Sequence, residues 1–291
     1  MNKLHTYKRI TLLITLLALA LITAACSTTQ NKADNQKTAW DEIKEKGKIV
    51  VATSGTLYPT SYHDTDSGKD KLTGYEVEVI REAAKRLDLD VEFKEMGFDG
   101  MLTAVGSGQV DAAANDITMT DDRKEKFLFS TPYKYSFGTA IVRKKDLSGI
   151  HTLEDLKGKK AAGAATTVYM DIARQYGAEE VIYDNATNDQ FLKDVANGRT
   201  DVILNDYYLQ KLALAAMPDL DLTIHPDLKY YPHQQGMIMK KGNAELKKQF
   251  DKTIDEMLKD GTIKKISKKF FGGADVSKKQ DIDFVDVDVN K

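Results

Sequence analysis

Two nine-residue strings share one pattern. Gly108-Gln-Val-Asp-Ala-Ala-Ala-Asn-Asp116 and Gly198-Arg-Thr-Asp-Val-Ile-Leu-Asn-Asp206 both read G-x-x-D-x-x-x-N-D. Each closes a series of short apolar runs alternating with amphipathic stretches, and each series opens on Gly-Lys (Gly47-Lys48 and Gly158-Lys159). In the first, Ile49 to Ala52 predicts a buried strand and Tyr75 to Leu87, apolar at Val77, Val79, Ile80, Ala83, Ala84 and Leu87, a helix. Val91 to Phe93 predicts a strand, Phe98 to Val105 a helix closed by Gly106, and Val110 to Ala114 another strand. In the second, a capped turn at Thr152 precedes strands at Lys160 to Ala164, Val181 to Tyr183 and Asp201 to Leu204. Helices at Val168 to Tyr176 and Asp189 to Ala196 lie between them. Two βαβαβ series in matched register predict two α/β lobes. Ligands of such sheets sit beyond the carboxyl ends of the strands. Asn115-Asp116 and Asn205-Asp206 both occupy that place, facing one another across a cleft.

The chain then returns. Tyr230 to Lys240 reads as a strand-like crossing, Ala244 to Leu258 as a helix stopped by Gly261, and Ile263 to Phe271 as a last short helix. Crossings near Tyr135 to Thr139 and Tyr231 to Gly236 make the first lobe discontinuous, residues 40–134 and 237–273, with the second at 135–236. Two connections make a hinge. Residues 274–291, which alternate acidic and apolar side chains from Asp281 to Val289, have no evident sheet to join and read as an exposed extension.

One turn carries a candidate charge. Thr120 is a good N-cap, and Asp121 and Asp122 suit the positive end of the helix that follows. Arg123 falls at the third helical position, where a capping box favours Glu or Gln and a cation opposes the dipole. A solvated arginine in a charged run and an arginine beside a bound anion both fit this stretch taken alone.

The 291 residues are 42% hydrophobic and 30% charged with net charge −2, enough for a sizeable core and without the basic stripe nucleic acid requires. No GxxxxGK[ST] loop occurs, and His63, His151, His225 and His233 lack metal-ligand spacing, so neither nucleotide hydrolysis, a metal nor another cofactor is expected. Cys26 is the only cysteine, which excludes an internal disulfide. It follows a basic segment (Lys3, Lys8, Arg9), an uncharged apolar run from Ile10 to Ala25, and the small residues Ala24 and Ala25. That arrangement resembles a bacterial lipobox, although Thr23 stands where Leu is usual. It implies a signal peptide at 1–25, a lipidated Cys26, a flexible tether at 26–39 and a domain on the outer face of a membrane. An ordinary signal peptide with a coincidental cysteine is the alternative.

From Trp40 to Gly273 the chain resembles the extracellular solute-binding proteins of polar amino acid ABC transporters (family 3). The resemblance rests on Val51-Ala-Thr-Ser-Gly-Thr, Lys71-Leu-Thr-Gly-Tyr-Glu-Val-Glu-Val, Thr118-Met-Thr-Asp-Asp-Arg123, Phe127-Leu-Phe-Ser-Thr-Pro-Tyr133, Leu153-Glu-Asp-Leu-Lys-Gly-Lys, and Asp260-Gly-Thr with Lys268-Lys-Phe-Phe-Gly. It implies an α/β, two-lobed periplasmic-binding-protein-like fold of type II and a monomer. The implied function is capture of a free amino acid by lobe closure and delivery to a membrane permease driven by an ATPase. It implies that Arg123 pairs with the ligand α-carboxylate, a role suited to a planar guanidinium, and that Thr118 donates to the same group. Thr167 would bring its N–H from the second lobe, at the positive end of a helix. Asp206 would accept from the α-ammonium, joined by the carbonyl of Asp116, and Phe98 would wall the ligand side chain. Asp206 as a turn residue, Thr167 as a mere N-cap and Phe98 as core are the structural alternatives. Ser54 stands where many relatives carry an acid, which argues against a lysine or arginine ligand, and Asp116 replaces a small residue and could supply such a charge. The strings Ser-Tyr-His-Asp and Leu-Thr-Gly-Tyr-Glu-Val-Glu-Val look most like relatives associated with cystine and other neutral polar amino acids. An amino-acid-sensing domain and a cleft enzyme of the cyclohexadienyl dehydratase type are the other functions to weigh.

Overall fold

The structure is a computed structural model that describes residues 37–65, 68–183 and 186–287. Cys26, the signal peptide and most of the tether lie outside the described residues. Helix α1 (Ala39–Lys46) opens on a Thr38–Asp41 capping box and precedes strand β1 (Lys48–Thr53). A small antiparallel sheet follows, of β2 (Thr56–Leu57), β3 (Ser61–Asp64) and β4 (Lys71–Thr73). Then come α2 (Tyr75–Arg86), β5 (Asp90–Glu95), α3 (Phe98–Ser107) and β6 (Ala112–Ala113). Helix α3 runs past Gly106 to a left-handed Gly108, whose N–H donates to the carbonyls of Ala104 and Val105. Gly106 therefore does not close it. Helix α4 (Asp121–Lys126) and strand β7 (Phe127–Phe129) complete this part, with the Thr120 hydroxyl accepting from the Arg123 N–H.

Strand β8 (Lys134–Arg143) leads into β9 (Lys160–Gly163), α5 (Val168–Gln175), β10 (Glu179–Ile182) and α6 (Asn188–Ala196). Then come β11 (Ile203–Asp206), α7 (Tyr207–Ala216), β12 (Leu222–Ile224) and β13 (Tyr230–Gln235). The chain returns through β14 (Ile238–Lys240), α8 (Ala244–Lys259) and α9 (Thr262–Phe270). The first lobe's sheet has the order β5-β1-β6-β14-β7, and β14 is its returning strand. In the second lobe β8 pairs antiparallel with β11, β12 and β13, while β9 and β10 form a parallel pair. An Ala161–Val202 bridge ties that pair to the rest.

Strands β8 and β13 are the two crossings, and they run hydrogen-bonded side by side, Lys134 opposite Gln235 and Ser136 opposite His233. Each lobe has its own core. Ile49, Val51, Ile80, Phe250 and Ile254 are fully buried in the first, and Ile150, Leu156, Ile172 and Val202 in the second. Each such side chain contributes about 1.5–3 kcal/mol over an exposed one. The fold class implied by the sequence is the one observed.

Two further expectations are corrected. Strand β11 lies two residues later than the apolar run suggests. Its partner β8 continues through Gly138 and carries the ladder on to Asp206, which then caps α7 by accepting from the Leu209 N–H. The C-terminal tail is not a free extension. The Val276 carbonyl accepts from Tyr135 N–H, Val285 bridges to Tyr230 in parallel, and the Phe284 ring packs 5.5 Å from Phe137. Its alternating pattern adds an edge to the crossing β13, a partner that exists only once the chain has folded.

Candidate functional site

A cavity of about 140 Å³ lies between the lobes. Ser54, Phe98, Asp116, Thr118 and Arg123 line it from the first lobe, and Gly163, Ala164 and Thr167 from the second. The first-lobe residues come from the ends of β1 and β6, the start of α3 and the turn into α4. The second-lobe residues come from the end of β9 and the turn into α5, so strand carboxyl ends and helix starts converge as a parallel α/β arrangement requires.

Arg123 is only 9% exposed. Its guanidinium donates to the Thr118 carbonyl at 3.0 Å and, across the cleft, to the Thr166 carbonyl at 2.8 Å. It lies 5.5 Å from the Phe98 ring centre. Burial pushes the guanidinium's pKa down, against the pull of Asp171, Tyr231 and Tyr169. Among the described residues no carboxylate pairs with it. A desolvated cation satisfied only by neutral carbonyls has strong demand for an anion. Asp99 accepts from both the N–H and the hydroxyl of Thr166, so the lobes meet on this side of the cavity.

The opposite side is acidic. The Ser54 N–H donates to Asn115 Oδ1 at 3.1 Å, which fixes the turn after β6. Asp116 then takes a left-handed conformation (φ 59°), and its N–H donates to the buried Glu76. Lys134 Nζ donates to Asp116 Oδ1 at 2.6 Å and to Asp206 Oδ2 at 2.9 Å. Glu76 also accepts from the Tyr133 hydroxyl at 2.6 Å. Burial raises Asp116 to about 7, against Lys134 and with the help of Asp206 and Glu76. Burial also pushes Asp206 up, but Lys134 and His233 override it and hold that carboxyl well below its usual range. Lys134 is raised because its two carboxylates outweigh its burial.

Two predicted site residues are placed differently from expectation. Asp206 is fully buried and is not on the cavity wall. Its oxygens accept from Lys134, from Gln235 Nε2 at 3.2 Å and from the Leu209 N–H at 3.0 Å. Asp116 is the carboxylate that reaches the wall. Thr167 lines the cavity, but its N–H and hydroxyl both donate to the Ala164 carbonyl, and its hydroxyl accepts from the Met170 N–H. It therefore acts here as the N-cap of α5. Lys134, Tyr133 and Gln235 were missed, since nothing in the two crossing strands or the residue before them marks them. Glu76 had a visible signal: it shares the apolar stripe of Val79, Ile80 and Ala83 and is fully buried.

The model of bacterial extracellular solute-binding proteins, family 3, matches residues 49–273. The chain belongs to this family. It is 72% identical over 273 residues to the probable ABC transporter extracellular-binding protein YckB of Bacillus subtilis, covering 94% of this chain and 95% of that one. A crystal structure of the B. subtilis YckB protein covers 86% of this chain and all of its own, at 77% identity and a TM-score of 0.70. The L-cystine-binding protein TcyA of B. subtilis is 37% identical over 279 residues, covering 93% of this chain and 99% of TcyA. As a family 3 solute-binding protein, the chain works by holding a solute outside the cytoplasm for a transporter.

Proposed function

We propose that the cleft takes one free amino acid, with its carboxylate on Arg123 and its ammonium on Asp116. The observation that carries this reading is the buried Arg123 guanidinium, which lines the cavity with no carboxylate partner among the described residues. Asp116 supplies a carboxylate on the same wall, and a zwitterion satisfies both poles with one molecule. Thr118 and Phe98 flank the carboxylate end, and Ser54 stands beside Asn115 near the ammonium end. The bound state stabilises closure because the second lobe adds the apolar wall of Val168, Phe191 and Leu204 to the polar contacts of the first.

The ligand is a neutral amino acid, with cystine first in line. The relationship to TcyA, named for L-cystine, supports this assignment. The apolar second-lobe wall, which includes Val168, Phe191 and Leu204, supports it too. A basic ligand would bring an unpaired second cation to a wall whose one acid serves the α-ammonium, whereas the second ammonium of cystine comes with its own carboxylate. The loaded protein delivers its amino acid to a permease powered by a separate ATPase, and a lipid on Cys26 holds it at the outer membrane face. Calorimetric titration with cystine, glutamine and arginine tests the reading. Cystine should bind more tightly than arginine, and Arg123→Ala should abolish detectable binding. Micromolar affinity surviving in that variant would remove Arg123 from the carboxylate role.

A further inference from the structure

One residue of the second lobe is held by the first through every polar group it has. Thr166 lies in the turn from β9 to α5. Its carbonyl accepts from Arg123 Nη2 at 2.8 Å, its N–H donates to Asp99 Oδ1 at 3.2 Å, and its hydroxyl donates to that same oxygen. Among the described residues, every hydrogen bond that joins the lobes away from the crossing strands ends on Thr166. Neither Asp99 nor Thr166 lines the cavity. We propose that Asp99 is a positioning residue that latches the second lobe's wall onto the first without touching the solute. Part of the contact that closes the cleft is therefore in place before any solute arrives.

Helix α3 places Asp99 for this task. The acid sits in the first turn, where the positive helix end favours an ionised carboxylate, and it follows Phe98 on the cavity wall. An acid serving the dipole alone needs no partner in the other lobe, yet both hydrogen bonds to this side chain among the described residues come from Thr166. The turn it grips is stiff. Thr167 donates to the Ala164 carbonyl from its N–H at 3.2 Å and its hydroxyl at 3.0 Å, and the hydroxyl accepts from the Met170 N–H at 3.2 Å. Drawing Thr166 to the first lobe thus also sets Ala164 and Thr167, which line the cavity. Arg123 supplies the other grip. A guanidinium has five N–H donors, and the carbonyls of Thr118 and Thr166 take one each. The remaining donors are free for a carboxylate, so latch and solute do not compete for Arg123.

The pair sits at the rim of the cleft, with Thr166 exposed and Asp99 half-buried. Water competes for both groups there, so the contact biases the lobes toward closure and does not lock them. Its loss should shift the ligand-free equilibrium toward the open form about tenfold, the low end for hydrogen bonds to a charged group. The latch belongs to the closed form whether the cavity is filled or empty. Without it a bound solute should leave about tenfold faster, while entry through the open form is not slowed.

The inference rests on the amino acid reading for what fills the cleft, and the ligand-free protein tests it separately. Small-angle X-ray scattering gives the radius of gyration of the wild type, Asp99→Ala, Asp99→Asn, Thr166→Val and the double variant Asp99→Ala/Thr166→Val, each without solute and with saturating cystine. Ligand-free Asp99→Ala should be more expanded than the wild type. Asp99→Asn, whose amide oxygen still accepts from Thr166, should stay nearer the wild type. Thr166→Val, which loses only the hydroxyl, should fall between, and the double variant should open no further than Asp99→Ala, because both changes remove one contact. Cystine should return every variant to the wild-type liganded radius, and stopped-flow release from Asp99→Ala should be about tenfold faster. A ligand-free Asp99→Ala radius equal to the wild type, or additive opening in the double variant, overturns the latch. A wild-type radius that no amino acid alters, with Asp99→Ala still expanded, overturns the amino acid reading and leaves the latch standing.

Discussion

Arg123 and Asp116 are both buried charges, but their neighbours treat them in opposite ways. Arg123 is given carbonyls and, among the described residues, no carboxylate partner, while Asp116 is given a lysine and two competing acids. The consequence for stability differs from that for binding. The Asp116 carboxyl is raised from 3.8 to about 7, so folding favours its protonated form. Its contribution to ligand-free stability is full below about 4 and is lost as pH rises toward 7. Asp116→Asn, a neutral replacement, should therefore raise the melting temperature of the ligand-free protein relative to wild type more at pH 8 than at pH 4.5. Calorimetry at the two pH values checks it, and a variant that loses ground at pH 8 counts against it. At this scale the sequence exposed Arg123, because Thr120 as N-cap places it one turn into a helix of known polarity. It hid Lys134, whose acids lie 18 and 72 residues away. Asp206 was found as a residue but misjudged in orientation, since the echo with Asp116 does not reveal that one acid ends a paired strand and the other starts a left-handed turn.

The paired crossings are the element on which closure turns, and one glycine sets their approach. Tyr230 lies opposite Gly138, donates its hydroxyl to the Thr139 carbonyl at 2.9 Å, and is wholly buried. A Cβ at 138 would fall within the Tyr230 ring. Gly138→Ala should therefore cost about 1–3 kcal/mol, the range for overpacking a filled core, measured by urea denaturation. Wild-type stability in that variant would show the strands can separate freely. The tail is the second lever. Removing residues 280–291 deletes the Val285 bridge and the Phe284–Phe137 contact, so the melting temperature should fall and ligand affinity weaken, both readable in one thermal-shift series. Strand and helix periodicity made most elements legible. The tail was not, because an isolated alternating strand has no partner in the sequence itself, and the end of α3 was misplaced because a glycine can continue a last helical turn as well as stop it.

At the scale of the molecule, the duplicated series announced two lobes and the cleft between them. Contacts across the cleft hold the lobes together on two sides: Arg123 and Asp99 grip Thr166, and Lys134 joins Asp116 to Asp206. An amino acid present at 100 times its dissociation constant should stabilise the protein by roughly 2.7 kcal/mol, and a thermal-shift screen against all amino acids plus cystine reads this directly. The tail touches the pivot at Tyr135, Phe137 and Tyr230, and none of its described residues is in the cavity lining. A polarity-sensitive dye attached at the exposed position 283 would thus sit beside the moving strands while leaving the amino acid's own contacts untouched. The last residues of the chain offer a ready-made handle for an optical sensor, in which solute capture is read as a change of colour or brightness far from where the solute lies.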